Sequence, residues 1–207
     1  MTQEEQWHLF EESIRLIGQG RFAECETVLK KLISSQPEKS YLWISLGRCQ
    51  LAQEKIADAE VSARKTLELD DKNAAHWNLL GCVMKAKSAF TEAEPLFRRA
   101  LELNAKDATS WSGLSTILLG LGRYTEAEEA ARKSIEIEPR FFEGWVVLGT
   151  LCLKLGRLQE AEAAFQRLVE LSPNTPEAYE LLSIAFTAQK KHTEAAAAQA
   201  RARTLRT

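Results

Sequence analysis

The sequence predicts an all-α fold built from antiparallel helix pairs repeated in tandem. Three observations predict it. Trp43, Trp77, Trp111 and Trp145 stand 34 residues apart, with Tyr179 next in the series. Leu46, Leu80, Leu114, Leu148 and Leu182 keep the same step, as do Ala59, Ala93, Ala127, Ala161 and Ala195. Within each period the apolar residues fall at i, i+3, i+4 and i+7, which is one face of a helix. A fixed period of this length fixes the architecture, because one such unit cannot bury its own apolar face and needs a neighbour.

The phase divides residues 1–207 into a single array of six units, 6–39, 40–73, 74–107, 108–141, 142–175 and 176–207. In the first, Leu9 holds the aromatic place, Cys25 the alanine place, and Pro37 the exit. The second carries Trp43, Leu46, Gly47 and Ala59. The third begins with Trp77, Leu80, Gly81 and Met84, breaks, and resumes with Thr91-x-x-Glu94, a capping-box spacing, and Ala93. Pro95 then falls about four residues beyond the expected cap, where it removes one hydrogen bond and adds a mild bend. The fourth has Trp111, Leu114, Ser115, the break Gly122-Arg123, and a second capping-box spacing, Thr125-x-x-Glu128. The fifth has Trp145, Leu148, Gly149, Gly156-Arg157, Ala161, Phe165 and Pro173. The sixth replaces tryptophan with Tyr179 and stops two residues short of a full period.

The composition excludes several function classes. Lys plus Arg number 27 against 29 for Asp plus Glu, and the net charge of −2 gives no general attraction to nucleic acid or anionic lipid. Glu4, Glu5, Glu11 and Glu12 occupy the N-terminus where a secretory signal would have a basic flank, so the expectation is an unexported, cytoplasmic chain. Cys25, Cys49, Cys82 and Cys152 lack the close pairing of a zinc or redox motif, and no metal or cofactor is expected. His8, His76 and His192 are far apart, and Gly113, Gly120 and Gly122 follow no strand. The chain is therefore not expected to be an enzyme.

The spacing W-x-x-L-G, A-x-x-x-F and P, complete at Trp145, Leu148, Gly149, Ala161, Phe165 and Pro173, resembles the tetratricopeptide repeat family. The resemblance implies a right-handed superhelical solenoid whose concave groove is lined by the first helix of each pair and binds a protein or peptide. At about 100° per residue, the face opposite the packing stripe gives the candidate lining. Trp7, Phe10, Ile14, Tyr41, Ile44 and Arg48 supply an apolar beginning with one early charge. Asn78, Cys82, Lys85, Thr109, Ser112 and Thr116 make a small, mostly polar middle that allows close approach and hydrogen bonding. Glu143, Val146, Thr150, Glu177 and Glu180 give an acidic end, with Lys154 nearby.

Members that grip the C-terminal carboxylate of heat-shock chaperones use a set of Lys, Asn and Arg at fixed places. The corresponding places here, such as Phe10, Ile14, Ser45, Ala75 and Leu79, form no basic clamp, so such tails are expected to be poor ligands. The alternative to a binding groove is a self-associating scaffold, giving a monomer or weak homo-oligomer. In it Arg201, Arg203 and Arg206 of the last helix would meet Glu4, Glu5 and Glu11 of another copy.

Overall fold

The computed structural model describes residues 1–206 and divides into two compact units, Met1–Ala105 and Lys106–Thr207. Among the described residues twelve helices account for the regular structure. Unit 1 holds α1 (Gln3–Gly18), α2 (Phe22–Ser35), α3 (Ser40–Ala52), α4 (Ile56–Leu69), α5 (Ala74–Ala86) and α6 (Phe90–Leu103). Unit 2 holds α7 (Ala108–Gly120), α8 (Tyr124–Ile137), α9 (Phe142–Lys154), α10 (Leu158–Leu171), α11 (Pro176–Ala188) and α12 (His192–Thr204). In each unit consecutive helices pack as pairs, and each pair packs on the next.

The turn inside each pair needs one residue with positive φ. Gly20, Gly122 and Gly156 supply it at φ +70°, +75° and +71°. The same place in the other pairs is held by Glu54, Ser88 and Lys190 at φ +59°, +57° and +62°, where a side chain is strained. The residue after it is the N-cap of the second helix. This overturns the expected caps: α6 and α8 begin after Ala89 and Arg123, with no side-chain cap bond, so Thr91 and Thr125 are already inside their helices. Their capping-box partners are used elsewhere, since Glu94 pairs with Arg98 and Glu128 with Arg132 and Arg157. The capping box that does form joins Thr2 and Glu5 and starts α1 at Gln3, upstream of the Gln6 expected from the period. Pro95 lies inside α6, which continues past it to Leu103.

Small residues bring the helices together. Ala59, Ala93, Ala127 and Ala161 are fully buried, and Cys25 takes the same role in the first pair. Gly81 lies against the Phe97 ring, where a Cβ would stand 3.0 Å from it, and Gly149 lies still closer to Phe165, at 2.3 Å. In the fourth and sixth pairs the ring is absent and the glycine place is serine, whose hydroxyl bonds across the pair: Ser115 Oγ donates to Ala127 O at 2.6 Å and Ser183 Oγ to Ala195 O at 3.1 Å. Around these contacts lie Leu16, Leu29, Leu32, Leu42 and Leu46 in unit 1, and Leu148, Phe165, Leu168 and Leu182 in unit 2. Burying each such side chain contributes about 1.5–3 kcal/mol.

The tryptophans do more than fill space. Trp43, Trp77 and Trp145 each donate Nε1–H to the carbonyl six residues earlier, of Pro37, Asp71 and Pro139, at 2.8, 2.7 and 3.0 Å. The Tyr179 hydroxyl reaches Pro173 O in the same way at 3.1 Å. Each aromatic thus ties the loop between pairs to the helix that follows it.

A ladder of ion pairs also links neighbouring pairs. Glu26 of α2 receives Lys55, Glu60 of α4 receives Lys87, Glu128 of α8 receives Arg157, and Glu162 of α10 receives Lys191, all at 2.6–2.9 Å. Glu26 is the most buried of these, with Lys30 and Gln53 as further partners. The surrounding donors hold its carboxyl down to about 2, with the bond from Lys30 the largest cause.

Candidate protein-binding surface

The first helices of each unit carry the predicted lining. In unit 1 these are α1, α3 and α5. Trp7 is 59% exposed, Ile14 55% and Tyr41 45%, while Phe10 and Ile44 are half-buried beside them. Phe10 stacks edge-on to Tyr41 at 5.5 Å between ring centroids, and Trp7 lies 6.3 Å from Phe10. These rings line a cleft of about 630 Å³ between α1, the end of α2 and the start of α3, together with Leu32, Leu42, Glu4, Gln3, Gln6 and Gln36. Arg48 is exposed and Lys85 half-buried on the same helix face further along.

The small polar middle departs from expectation. Asn78 is only 8% exposed and Ser112 5%, so both are packing residues and neither offers a surface to a ligand. Helix periodicity alone sets both on the face opposite the packing stripe, but burial by neighbouring helices is a tertiary property that no single helix encodes. Cys82 is half-buried, its Sγ 3.8 Å from Asn78 Oδ1. Thr116 is half-buried and donates its hydroxyl to Ser112 O at 3.0 Å, and Thr109 is exposed with its hydroxyl on Asp107, at 2.6 Å. Those donors are satisfied by the chain itself.

In unit 2 the wall of α9 and α11 carries exposed Glu143 and Glu177, with half-buried Val146 and Thr150, and the Thr150 hydroxyl donates to Val146 O at 2.8 Å. Lys154 is exposed beyond them. Glu180 is engaged, because Arg206 of the same helix pair lies 2.6 Å from it. Ile184, which sequence reasoning passed over, is 51% exposed one turn further along α11.

Other reactive groups are spent on structure. His76 is buried and lies 2.7 Å from Asp70 O. Cys25 and Cys49 are buried with their sulfurs 3.3 Å apart, and burial pushes both thiols up, Cys49 to about 12. Thiols held protonated in this way are poor nucleophiles and poor metal ligands. Among the described residues no three His, Cys, Asp or Glu side chains gather as a metal site, and no helix is long and apolar enough to cross a membrane.

Comparison with known proteins agrees with this build. Residues 85–206, more than half of the chain, match the model of the cilia and flagella-associated protein 70 middle TPR-like domain, and residues 10–74 match a tetratricopeptide repeat model. The chain belongs to the tetratricopeptide repeat family. No curated protein matches it. Among solved structures this tetratricopeptide repeat protein is similar to a thermophilic protein of the same repeat class from Thermus thermophilus, at 18% identity and a TM-score of 0.80, over 88% of this chain and 99% of that one. It is similar to the type IV pilus biogenesis factor PilW at 14% identity and a TM-score of 0.81, over 97% and 93% of the two chains. It also resembles the anaphase-promoting complex hetero-tetramer Cut9–Hcn1, at 19% identity and a TM-score of 0.82, over 93% of this chain and 38% of that one. At such identities the likeness establishes the shared fold of tandem helix pairs.

Proposed function

We propose that this chain is a non-catalytic cytoplasmic adaptor that holds a segment of another protein against its first-helix faces. The family's general role in protein–protein interaction supports the coarse reading. The observation that carries the finer one is the exposed aromatic cleft at Trp7, Phe10 and Tyr41, because large apolar side chains left in water over a concave site mark a docking surface. Peptide binding in a related repeat protein, YrrB, whose structure is described as having an unusual peptide-binding site, adds weight by analogy. A cytoplasmic setting fits four cysteines that are all free thiols.

End-to-end self-association is the weaker reading. Arg206 pairs with Glu180 and Arg201 lies over the Tyr179 ring at 6.0 Å, both inside the α11–α12 pair. Glu5 is likewise engaged in its capping box. Only Arg203, among the three arginines, keeps the role the assembly reading gave it.

The test replaces exposed residues, since Asn78 and Ser112 are packing positions. Trp7→Ser with Tyr41→Ser should abolish partner capture while the helical circular dichroism stays that of the wild type. Capture of the same partners by this variant would refute the docking reading. Sedimentation showing a concentration-dependent oligomer that depends on Arg203 would favour assembly instead.

A further inference from the structure

Unit 1 pairs most of its charges internally. Lys30 and Lys55 sit on Glu26, Arg64 and Lys87 on Glu60, and Arg21 on Glu24. Among the described residues Arg48 on α3 and Lys85 on α5, like Lys31 and Lys72, have no carboxylate partner, and helix periodicity sets Arg48 and Lys85 on the first-helix face that begins with Tyr41. Gln3, Gln6 and Gln36 also line the cleft. An amide both donates and accepts, which matches the two polar groups of a peptide backbone. The beginning of one face therefore offers apolar depth and amide edges, and its continuation offers two uncompensated cations.

We infer that this face selects an acidic amphipathic protein segment, with large apolar side chains seated in the Trp7–Tyr41 cleft and carboxylates meeting Arg48 and Lys85. The inference rests on the docking reading above and adds the chemistry of the partner. Charge complementarity argues for acid at the Arg48–Lys85 end of the face, where like charges would suppress a basic segment, while Glu4 in the cleft lining leaves the cleft itself to apolar side chains.

Selection from a random dodecapeptide display library on the immobilised full chain tests this. The expected winners combine Trp, Phe, Leu or Ile with two or more Asp or Glu. Their affinity should fall at least tenfold for the Arg48→Glu/Lys85→Glu variant, which should itself select Lys- and Arg-containing peptides. Arg48 is exposed and Lys85 half-buried, and an unchanged thermal unfolding midpoint verifies that the variant is folded. Winners that bind the Trp7→Ser/Tyr41→Ser variant poorly but show no acidic bias would overturn the charge inference and leave the docking reading standing. Winners indifferent to both variants, or no winners, would overturn both.

Discussion

The start of unit 1 and the start of unit 2 occupy equivalent places three repeats apart, and they are built oppositely. Trp7, Phe10, Leu32, Tyr41 and Leu42 correspond to Thr109, Ser112, Ser134, Glu143 and Gly144. In unit 1 the large side chains line an open cleft between α1, α2 and α3. In unit 2 the small ones let α7, α8 and α9 close: Ser134 Oγ donates to Ala108 O at 3.0 Å, and a Cβ on Gly144 would stand 2.8 Å from Ile135 and 2.9 Å from Ser134 Oγ. One scaffold thus gives an open cleft or a sealed contact according to side-chain volume at five places. The smaller cavities follow the opposite rule. One of about 250 Å³ at Trp43, Leu46 and Ser62 and one of about 320 Å³ at Trp145, Leu148 and Ala164 fall at equivalent places, so they belong to the repeat and carry no individual specificity.

Exchanging the contrasting residues should have the largest effect. Leu42 is almost wholly buried, and Leu42→Gly removes a core side chain and adds helix-interior glycine, costing about 4 kcal/mol. The reverse exchange, Gly144→Leu, overpacks a contact with no room and costs about 3 kcal/mol. In a chain of this size each kcal/mol lowers the unfolding midpoint by about 2–4 °C, which thermal circular dichroism resolves. A neutral Gly144→Leu would mean that the sealed contact in unit 2 is looser than its geometry indicates.

A second pair of substitutions separates scaffold from wall. Gly149→Ala meets a fully buried Phe165 ring at 2.3–2.7 Å and should cost about 2 kcal/mol even after the gain in helix propensity. Gly81→Ala meets Phe97 at 3.0–3.1 Å and should come out near neutral. Neither substitution touches the Trp7 cleft, so peptide affinity should be unchanged in Gly81→Ala, as titration calorimetry can check.

The ion ladder sets a pH dependence that differs between units. Glu26 in unit 1 is held down to about 2 by Lys30, Lys55 and Gln53, whereas its ordinary value is 4.5. A depressed carboxylate contributes stability that is present above the ordinary value and is lost as pH falls from about 4.5 toward 2. Lys30 and Lys55 are largely exposed, so solvent reduces the contribution to about 2 kcal/mol. Glu26→Gln should therefore lower the midpoint at pH 7 and match wild type near pH 2. Glu162 in unit 2 is also lowered, chiefly by Lys191, and has fewer cationic partners, so Glu162→Gln should show the same trend with smaller amplitude. Melts across pH 2–7 would contradict this if the wild type and Glu26→Gln stayed parallel.

How much of this was legible follows from what a repeat encodes. The period reveals helix pairs because Trp, Leu, Gly and Ala recur where packing demands them, and α3, α5, α7, α9 and α11 begin at Ser40, Ala74, Ala108, Phe142 and Pro176. The exposure of Trp7, Ile14 and Tyr41 was legible too, since they stand where repeats need no large residue. The caps were not, because the turn is set by backbone φ at Gly20, Glu54, Ser88, Gly122, Gly156 and Lys190, and half of those residues carry no glycine signal. Nor was the burial of Asn78 and Ser112, which depends on neighbouring helices, or the pairing of Glu180 with Arg206 across a hairpin.

The turns themselves supply the smallest test. Lys190 in unit 2 and Ser88 in unit 1 hold φ of +62° and +57°, a conformation costing roughly 1–2 kcal/mol for a residue with a Cβ. Glycine relieves that strain but adds freedom to the unfolded chain, so Lys190→Gly and Ser88→Gly should each gain only about 0.5–1 kcal/mol. The converse, Gly122→Ala, has open space for its Cβ and fails on backbone alone, with a loss of about 1 kcal/mol. Because the two gains arise from the same turn in different units, they should be equal and additive in the double variant. A gain at Ser88 that is absent at Lys190 would show that the loop of the last pair is held by something other than its turn, with Lys191 on Glu162 the first contact to remove.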